Sequence, residues 1–213
     1  MVNKNMDFFE EANSFLDIKT VDSRCVFESN LDFAPIFSII IPTYKRDGLL
    51  KEAIDSALVQ RDYYNYEVVV VDNNPERDCE TEQLLATYKN SRLSYYKNSE
   101  NLGLFENWNR SIQLAKGEYV CMLHDDDMLK DSYLSDLFDV INKNSQIGFI
   151  SDRLELLIEN NNIIESKFKK YKSFLGSIED YLKPNIYKVK DIDYLFSIPT
   201  FVVGACFKRQ LAI

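Results

Sequence analysis

Apolar residues recur along this chain in two rhythms. Phe37-Ser38-Ile39-Ile40-Ile41 is a short, nearly continuous apolar run closed by Pro42, the pattern of a strand buried on both faces. Leu49, Leu50, Ala53, Ile54, Ala57 and Leu58 follow at helical spacing,. Residues 68–71 predict a second buried strand, closed by Asp72-Asn73-Asn74-Pro75. Helices are predicted over 80–88, 105–115 and 134–141, and strands over 93–96 and 118–123. Strands alternating with helices at short intervals imply βαβ units and a mostly parallel sheet flanked by helices, an α/β fold. Ligands of such sheets bind beyond the carboxyl ends of the strands. The residues there are Pro42-Thr43-Tyr44, Asp72-Asn73-Asn74, Lys97-Asn98 and His124-Asp125-Asp126-Asp127.

The flanks read differently. Residues 1–35 are polar and weakly patterned, with Phe8, Phe9, Ala12, Phe15 and Leu16 set for one or two amphipathic turns packed on the main body,. After Gly148 a hairpin is expected over 149–164, turning at Glu159-Asn160-Asn161-Asn162, then a strand over 198–207,. The expected organisation is an extension over 1–35, a ligand-binding α/β part over 36–146 and a further part over 147–213.

Composition narrows the function. The chain has 213 residues, 46% of them hydrophobic, enough for a real core, and a net charge of −9. That charge argues against a nucleic-acid partner, because a phosphate backbone demands a basic face. A phosphorylated ligand would need local positive charge, and a bound divalent cation is the economical source. Cys25, Cys79, Cys121 and Cys206 are widely spaced and the chain has one histidine. This disfavours a zinc site and a disulfide framework and suits reduced, mostly buried thiols. The start lacks a signal-peptide core, and no run approaches the length of a spanning helix,. The expectation is a cytoplasmic protein, with contact to a membrane surface left open.

Three adjacent carboxylates, Asp125, Asp126 and Asp127, repel one another unless solvated, paired or bound to a cation,. Directly after an apolar strand on the ligand edge, they read as a site for Mn²⁺ or Mg²⁺, which take carboxylate oxygens and leave positions open for phosphate. Asp72 either accepts hydrogen bonds from a base or ribose or serves as a turn residue. His124 is either a ligand-side group or a neutral, hydrogen-bonded histidine. Trp108 reads as a buried aromatic, and Arg110 as a surface charge or, alternatively, a diphosphate partner. Lys167-Phe168-Lys169-Lys170-Tyr171-Lys172 reads as a solvated strand or loop, with anionic headgroups as the sharper alternative,.

Five of these stretches, in this order, resemble the inverting family 2 glycosyltransferases of the GT-A fold. They are Ser38-Ile39-Ile40-Ile41-Pro42-Thr43-Tyr44, Val69-Val70-Val71-Asp72-Asn73, Asn101-Leu102-Gly103, Ala115-Lys116-Gly117-Glu118-Tyr119-Val120 and Leu123-His124-Asp125-Asp126-Asp127. The resemblance implies a Rossmann-like sheet with a small mixed-sheet addition in the last third, residues 147–213 being the start of an acceptor-side part. It also implies a nucleoside-diphosphate-sugar donor, with a UDP-sugar expected, and a glycan or lipid-linked acceptor. Pro42, Thr43, Tyr44, Asp72, Asn73, Asn101, Asn109, Asp125 and Asp126 would hold the donor, and Asp126 and Asp127 the metal. Two positions depart from the family pattern. His124 stands where an aspartate is common, and Trp108 where an arginine often precedes the asparagine matched by Asn109. The family's catalytic base lies in a later acidic pair that has no match here. Asp152 is a candidate, as is Glu179-Asp180, and the chain is expected to end after the donor-binding portion.

The implied reaction is a single displacement assisted by a metal. Two rivals stay open at this point: a donor-binding module without catalysis, and an aspartate-nucleophile phosphatase using the spacing of Asp125 and Asp127.

Overall fold

The computed structural model describes residues 21–144, 146–150 and 205–211. The chain divides into two compact units, residues 1–152 with 201–213, and residues 153–200; the fold described here belongs to the first. Its strands are β1 (Ser23–Phe27), β2 (Phe37–Thr43), β3 (Tyr66–Asp72), β4 (Leu93–Asn98), β5 (Tyr119–Met122), β6 (Phe149–Ile150) and β7 (Cys206–Lys208). Its helices are α1 (Asp47–Leu58), α2 (Glu80–Ala86), α3 (Leu104–Leu114) and α4 (Tyr133–Lys143).

Among the described residues these strands form one sheet in the order β1-β4-β3-β2-β5-β7-β6. The inner four, β4-β3-β2-β5, are parallel. Every residue of β2, β3 and β5 is buried, as continuous apolar runs between two helical layers require,. The pleat divides them. Ile39, Ile41, Val68 and Val70 face α1 and α4, where Leu50, Ala53, Ile54, Leu134 and Leu137 complete one core. Ile40, Val69, Val71, Val120 and Met122 face α3 and pack with Ile112.

Strand β2 runs further than its apolar run, through Pro42 to Thr43, because Thr43 pairs in register with Asp72 of β3. Even-numbered residues of β2 bond towards β5, where Leu123 N–H donates to the Ile40 carbonyl, and the β2–β5 ladder stops at Ile40 opposite Met122. Pro42 lies beyond that stop, so its missing N–H costs the sheet no bond.

The structure adds what the pattern missed. β1 is an antiparallel edge strand on β4, with Ser23 opposite Asn98; five half-polar residues covered on one side carry too weak a signal to read. The expected partner of Phe149–Ile150 was the next segment of chain. Among the described residues Phe149–Ile150 pairs antiparallel with β7, Phe149 opposite Phe207, and the other arm of the expected hairpin lies outside them. The expected turn at Glu159–Asn162, the aromatic cluster around Phe8 and the Lys167–Lys172 run lie outside the described residues. No helix among those described is long and apolar enough to cross a membrane.

Candidate functional site

The chain enters the parallel sheet at β2, builds outward through β3 and β4, then crosses back to place β5 on the other side of β2. Ligands of open α/β sheets bind at such a reversal, outside the carboxyl ends of the strands. Thr43 ends β2 there, and Asp125 follows β5. The Thr43 hydroxyl donates to Asp125 Oδ2 at 2.8 Å. Above this bond opens a cleft of about 610 Å³. Its floor is Pro42, Thr43 and Asn73, one wall is Tyr44 and Arg46, and the acidic side is His124, Asp125 and Asp126. The remaining wall comes from Asn101, Gly103, Leu104, Asn107 and Trp108.

That last wall is held by an amide network. Asn73 Nδ2 donates to Asn101 Oδ1 at 2.8 Å and to the Gly103 carbonyl at 2.9 Å. Its Oδ1 accepts from Asn98 Nδ2 at 3.0 Å and from the Leu102 N–H at 2.8 Å. With all four hydrogen-bonding positions used, Asn73 shapes the cleft rather than offering a free group to a ligand. Gly103 sits at φ 82°, where only glycine is at ease, and this turns the loop into α3,. Helical phase then decides which α3 residues face the ligand. Leu104, Asn107 and Trp108, spaced i, i+3 and i+4, line the cleft,. Asn109, expected among the donor contacts, is not in the cleft lining; it sits one helical step of ~100° from Trp108.

Asp72 departs from expectation too. It is fully buried beneath the sheet edge and is not part of the cleft lining. Its Oδ1 accepts the Asn74 N–H at 2.9 Å. Its Oδ2 accepts the Tyr95 hydroxyl at 2.9 Å and Lys97 Nζ at 3.0 Å. Lys97 also lies 3.0 Å from Cys79 Sγ. Burial works against the Lys97 charge, but Cys79 and Asp72 outweigh it and hold the ammonium above its ordinary pKa. Arg110 is not a plain surface charge: it donates to the Val21 carbonyl, and burial lowers its pKa.

The acidic run is asymmetric. Asp125 is nearly buried and anchored by Thr43; Asp126 is exposed and reaches Arg46 Nη1 at 2.8 Å. The same nitrogen lies 3.3 Å from Asp125 Oδ1. Burial, helped by the charges of Asp126 and Asp125 and opposed by His124, raises the Asp127 pKa. His124 stacks against Trp108 with ring centroids 5.2 Å apart, and Phe105 meets Trp108 edge-on at 5.6 Å. His124 Nε2 is buried without a hydrogen-bond partner. One ligand atom each from His124, Asp126 and Asp127 lies within 4.8 Å of the others. Two carboxylates and an imidazole converging this closely fit a divalent cation of the Mn²⁺ type. The sequence pairing of Asp126 with Asp127 is thus joined by His124.

Arg46 is the site residue that pattern reading passed over. It is the N-cap of α1, and a cation there opposes the helix dipole,. That local conflict was the available signal. The candidate bases Asp152, Glu179 and Asp180 lie outside the described residues.

A family model described as Glycosyl transferase family 2 matches residues 38–207. An uncharacterized glycosyltransferase of Rickettsia felis is 36% identical over 111 residues, 52% of this chain and 18% of the relative. Another, of Methanocaldococcus jannaschii, is 29% identical over 142 residues, 65% of this chain and 48% of the relative. The chain therefore spans less than half the length of these curated relatives. Among solved structures, residues 1–349 of TarS from S. aureus in complex with UDP-GlcNAc superpose with a TM-score of 0.59 at 21% identity, covering 82% of this chain and 46% of that 1–349 chain. The Pyrobaculum calidifontis mannosyltransferase PcManGT, in complex with GDP-Man and Mn²⁺, gives 0.50 at 22% identity, covering 62% and 39%. These likenesses carry the fold, that of GT-A glycosyltransferases.

Proposed function

The chain belongs to glycosyl transferase family 2, and from that premise we propose that it transfers a sugar from a nucleoside-diphosphate sugar to a glycan or lipid-linked acceptor with inversion. The observation that carries the reading is the cleft at the strand reversal, where the anchored Asp125 and the exposed Asp126 face a cavity of about 610 Å³. The structural neighbours solved with UDP-GlcNAc and with GDP-Man support the donor class, and a UDP-sugar is the donor we favour. Family membership sets aside the phosphatase alternative.

Asp126 and Asp127, with His124 beside them, would hold Mn²⁺ or Mg²⁺. Such a cation, when bound, neutralises charge on the leaving diphosphate. Thr43 fixes Asp125 so that its free edge faces the ligand. Pro42, Tyr44 and Trp108 give the cleft apolar walls that exclude water and orient the nucleoside and sugar. In the single displacement, the bond from the anomeric carbon to the diphosphate oxygen breaks and its electron pair leaves with the diphosphate. The acceptor oxygen bonds to the opposite face, and its proton passes to a carboxylate. The sequence offers Asp152 for that last role.

The test is calorimetric. Asp126→Ala should abolish Mn²⁺-dependent binding of UDP-GlcNAc or GDP-mannose, whichever the native protein binds, and leave thermal unfolding unchanged. Retained binding in the variant would sink the assignment.

A further inference from the structure

Arg46 bridges the two carboxylates that face the cleft, 2.8 Å from Asp126 Oδ2 and 3.3 Å from Asp125 Oδ1. Its position is built by the backbone. Lys45 takes a left-handed conformation, φ 54°, which turns the chain sharply after β2 and sets Arg46 at the head of α1 beside the acidic run. The two carboxylates differ in freedom. Thr43 fixes Asp125, whereas Asp126 has the arginine as its partner and is otherwise open. The Arg46 side chain is 53% exposed, so it can swing without disturbing a packed core. It also lines the cleft itself.

We propose that Arg46 is a counter-ion that changes partner: it holds Asp125 and Asp126 until a divalent cation takes Asp126, then turns its guanidinium to the diphosphate of the donor. The inference rests on the donor-binding reading above. A cation held by Asp126 would put two positive charges beside the guanidinium and repel it from that oxygen. The planar fork of an arginine suits diphosphate oxygens, and the cleft then gains the positive charge that a −9 chain otherwise lacks there,. Before the cation arrives, the same bridge relieves repulsion within the acidic run.

Binding measurements on the purified 213-residue chain test this. Mn²⁺ alone is titrated first, then UDP and GDP at saturating Mn²⁺, taking the tighter nucleotide; the variants are Arg46→Gln, Arg46→Lys and, as a field control, Lys45→Gln. Arg46→Gln should tighten Mn²⁺ binding by up to about fivefold, the range of an exposed ion pair removed as competitor. It should weaken nucleotide binding at least about tenfold through loss of a charge-assisted contact. The free nucleoside should bind Arg46→Gln and native protein alike. Arg46→Lys should restore part of each effect, and Lys45→Gln should change neither. Unchanged or weaker Mn²⁺ binding in Arg46→Gln overturns the exchange, as does an equal effect from Lys45→Gln, which would mark a general field. If the native protein binds neither Mn²⁺ nor nucleotide, the donor-binding reading itself fails.

Discussion

Thr43 Oγ1 donates to Asp125 Oδ2 at 2.8 Å, tying together the carboxyl ends of β2 and β5 across 82 positions of sequence. The bond is buried and one partner is charged, so it belongs to the stronger class of side-chain hydrogen bonds. Thr43→Val keeps the shape and removes the donor. Because such bonds contribute about 1.5–3 kcal/mol, donor affinity should fall at least roughly tenfold, and Thr43→Ser should recover it. Equal affinity in the valine variant would mean that Asp125 does not need this anchor to face the ligand.

The buried pair Asp72–Lys97 predicts a stability effect. Both side chains are almost wholly buried, 0% and 3% exposed. Lys97→Met leaves the carboxylate uncompensated, which costs about 3–5 kcal/mol. Urea denaturation should show that loss, and Asp72→Asn added to Lys97→Met should restore part of it. The expectation that Asp72 meets the nucleobase makes a different claim: weaker nucleoside binding by Asp72→Asn at unchanged stability. Measuring both quantities on the same variants decides between the roles.

Gly117 approaches the backbone of β2 closely. Its N–H donates to Ser38 Oγ at 2.7 Å, and Ser38 in turn donates to the buried Glu67 at 2.6 Å. A Cβ built there would lie 2.6 Å from the Ser38 nitrogen and 2.8 Å from the Phe37 carbonyl carbon. Backbone cannot rotate out of the way, so Gly117→Ala should cost roughly 1–3 kcal/mol, read as a lower thermal midpoint. A midpoint within a degree of the native one would show that the strand yields freely.

Much of this was legible because burial on both faces writes itself as unbroken apolar runs. Residues 37–41 and 68–71 sit at the sheet centre for that reason. The strand-end stations followed from the α/β rule, and Thr43, Tyr44, Asn101, Asp125 and Asp126 do line one cleft. The misses share another cause. β1 and the β6–β7 pair are edges, where half-covered residues lose their period. Asn109 falls outside the cleft lining because a motif carries no helical phase, and the Asp72 carboxylate turns inward to Tyr95 and Lys97, contacts that a strand-end position does not announce. Arg46 was passed over because it lies just past the strand end, outside any apolar rhythm.

Acid should loosen the attachment of β1. Burial pushes Glu82 up, but Arg24, the Asp78 N–H and Lys97 together outweigh it and hold its pKa below the ordinary value of 4.5. Arg24 Nη2 lies 2.6 Å from Glu82 Oε1 and links β1 to α2. A depressed carboxylate pKa stabilises the fold above its unfolded value, and that contribution fades as pH falls through the folded one. Arg24 is partly exposed, so the difference from Glu82→Gln should be at most about 1 kcal/mol at pH 7. Urea midpoints should converge as the pH drops below 4.5. A gap that stays constant from pH 7 to pH 3.5 would remove Glu82 from the account.

The single tryptophan supplies a reporter for the whole site. Trp108 lines the cleft, its ring 5.2 Å from His124, which shares a ligand-atom cluster with Asp126 and Asp127. A paramagnetic ion held by that cluster sits close enough to quench the indole, so Mn²⁺ should reduce intrinsic fluorescence saturably. Mg²⁺, which has no unpaired electrons, should bind with little quenching and displace Mn²⁺ at excess. Asp126→Ala should abolish the saturable phase. Trp108→Phe should remove the signal while calorimetry still shows the cation binding, because the ring packs against His124 without donating to the metal. Quenching that rises linearly with Mn²⁺ and is the same in Asp126→Ala would mean collision rather than binding, and the cation would then have to be held away from His124, Asp126 and Asp127.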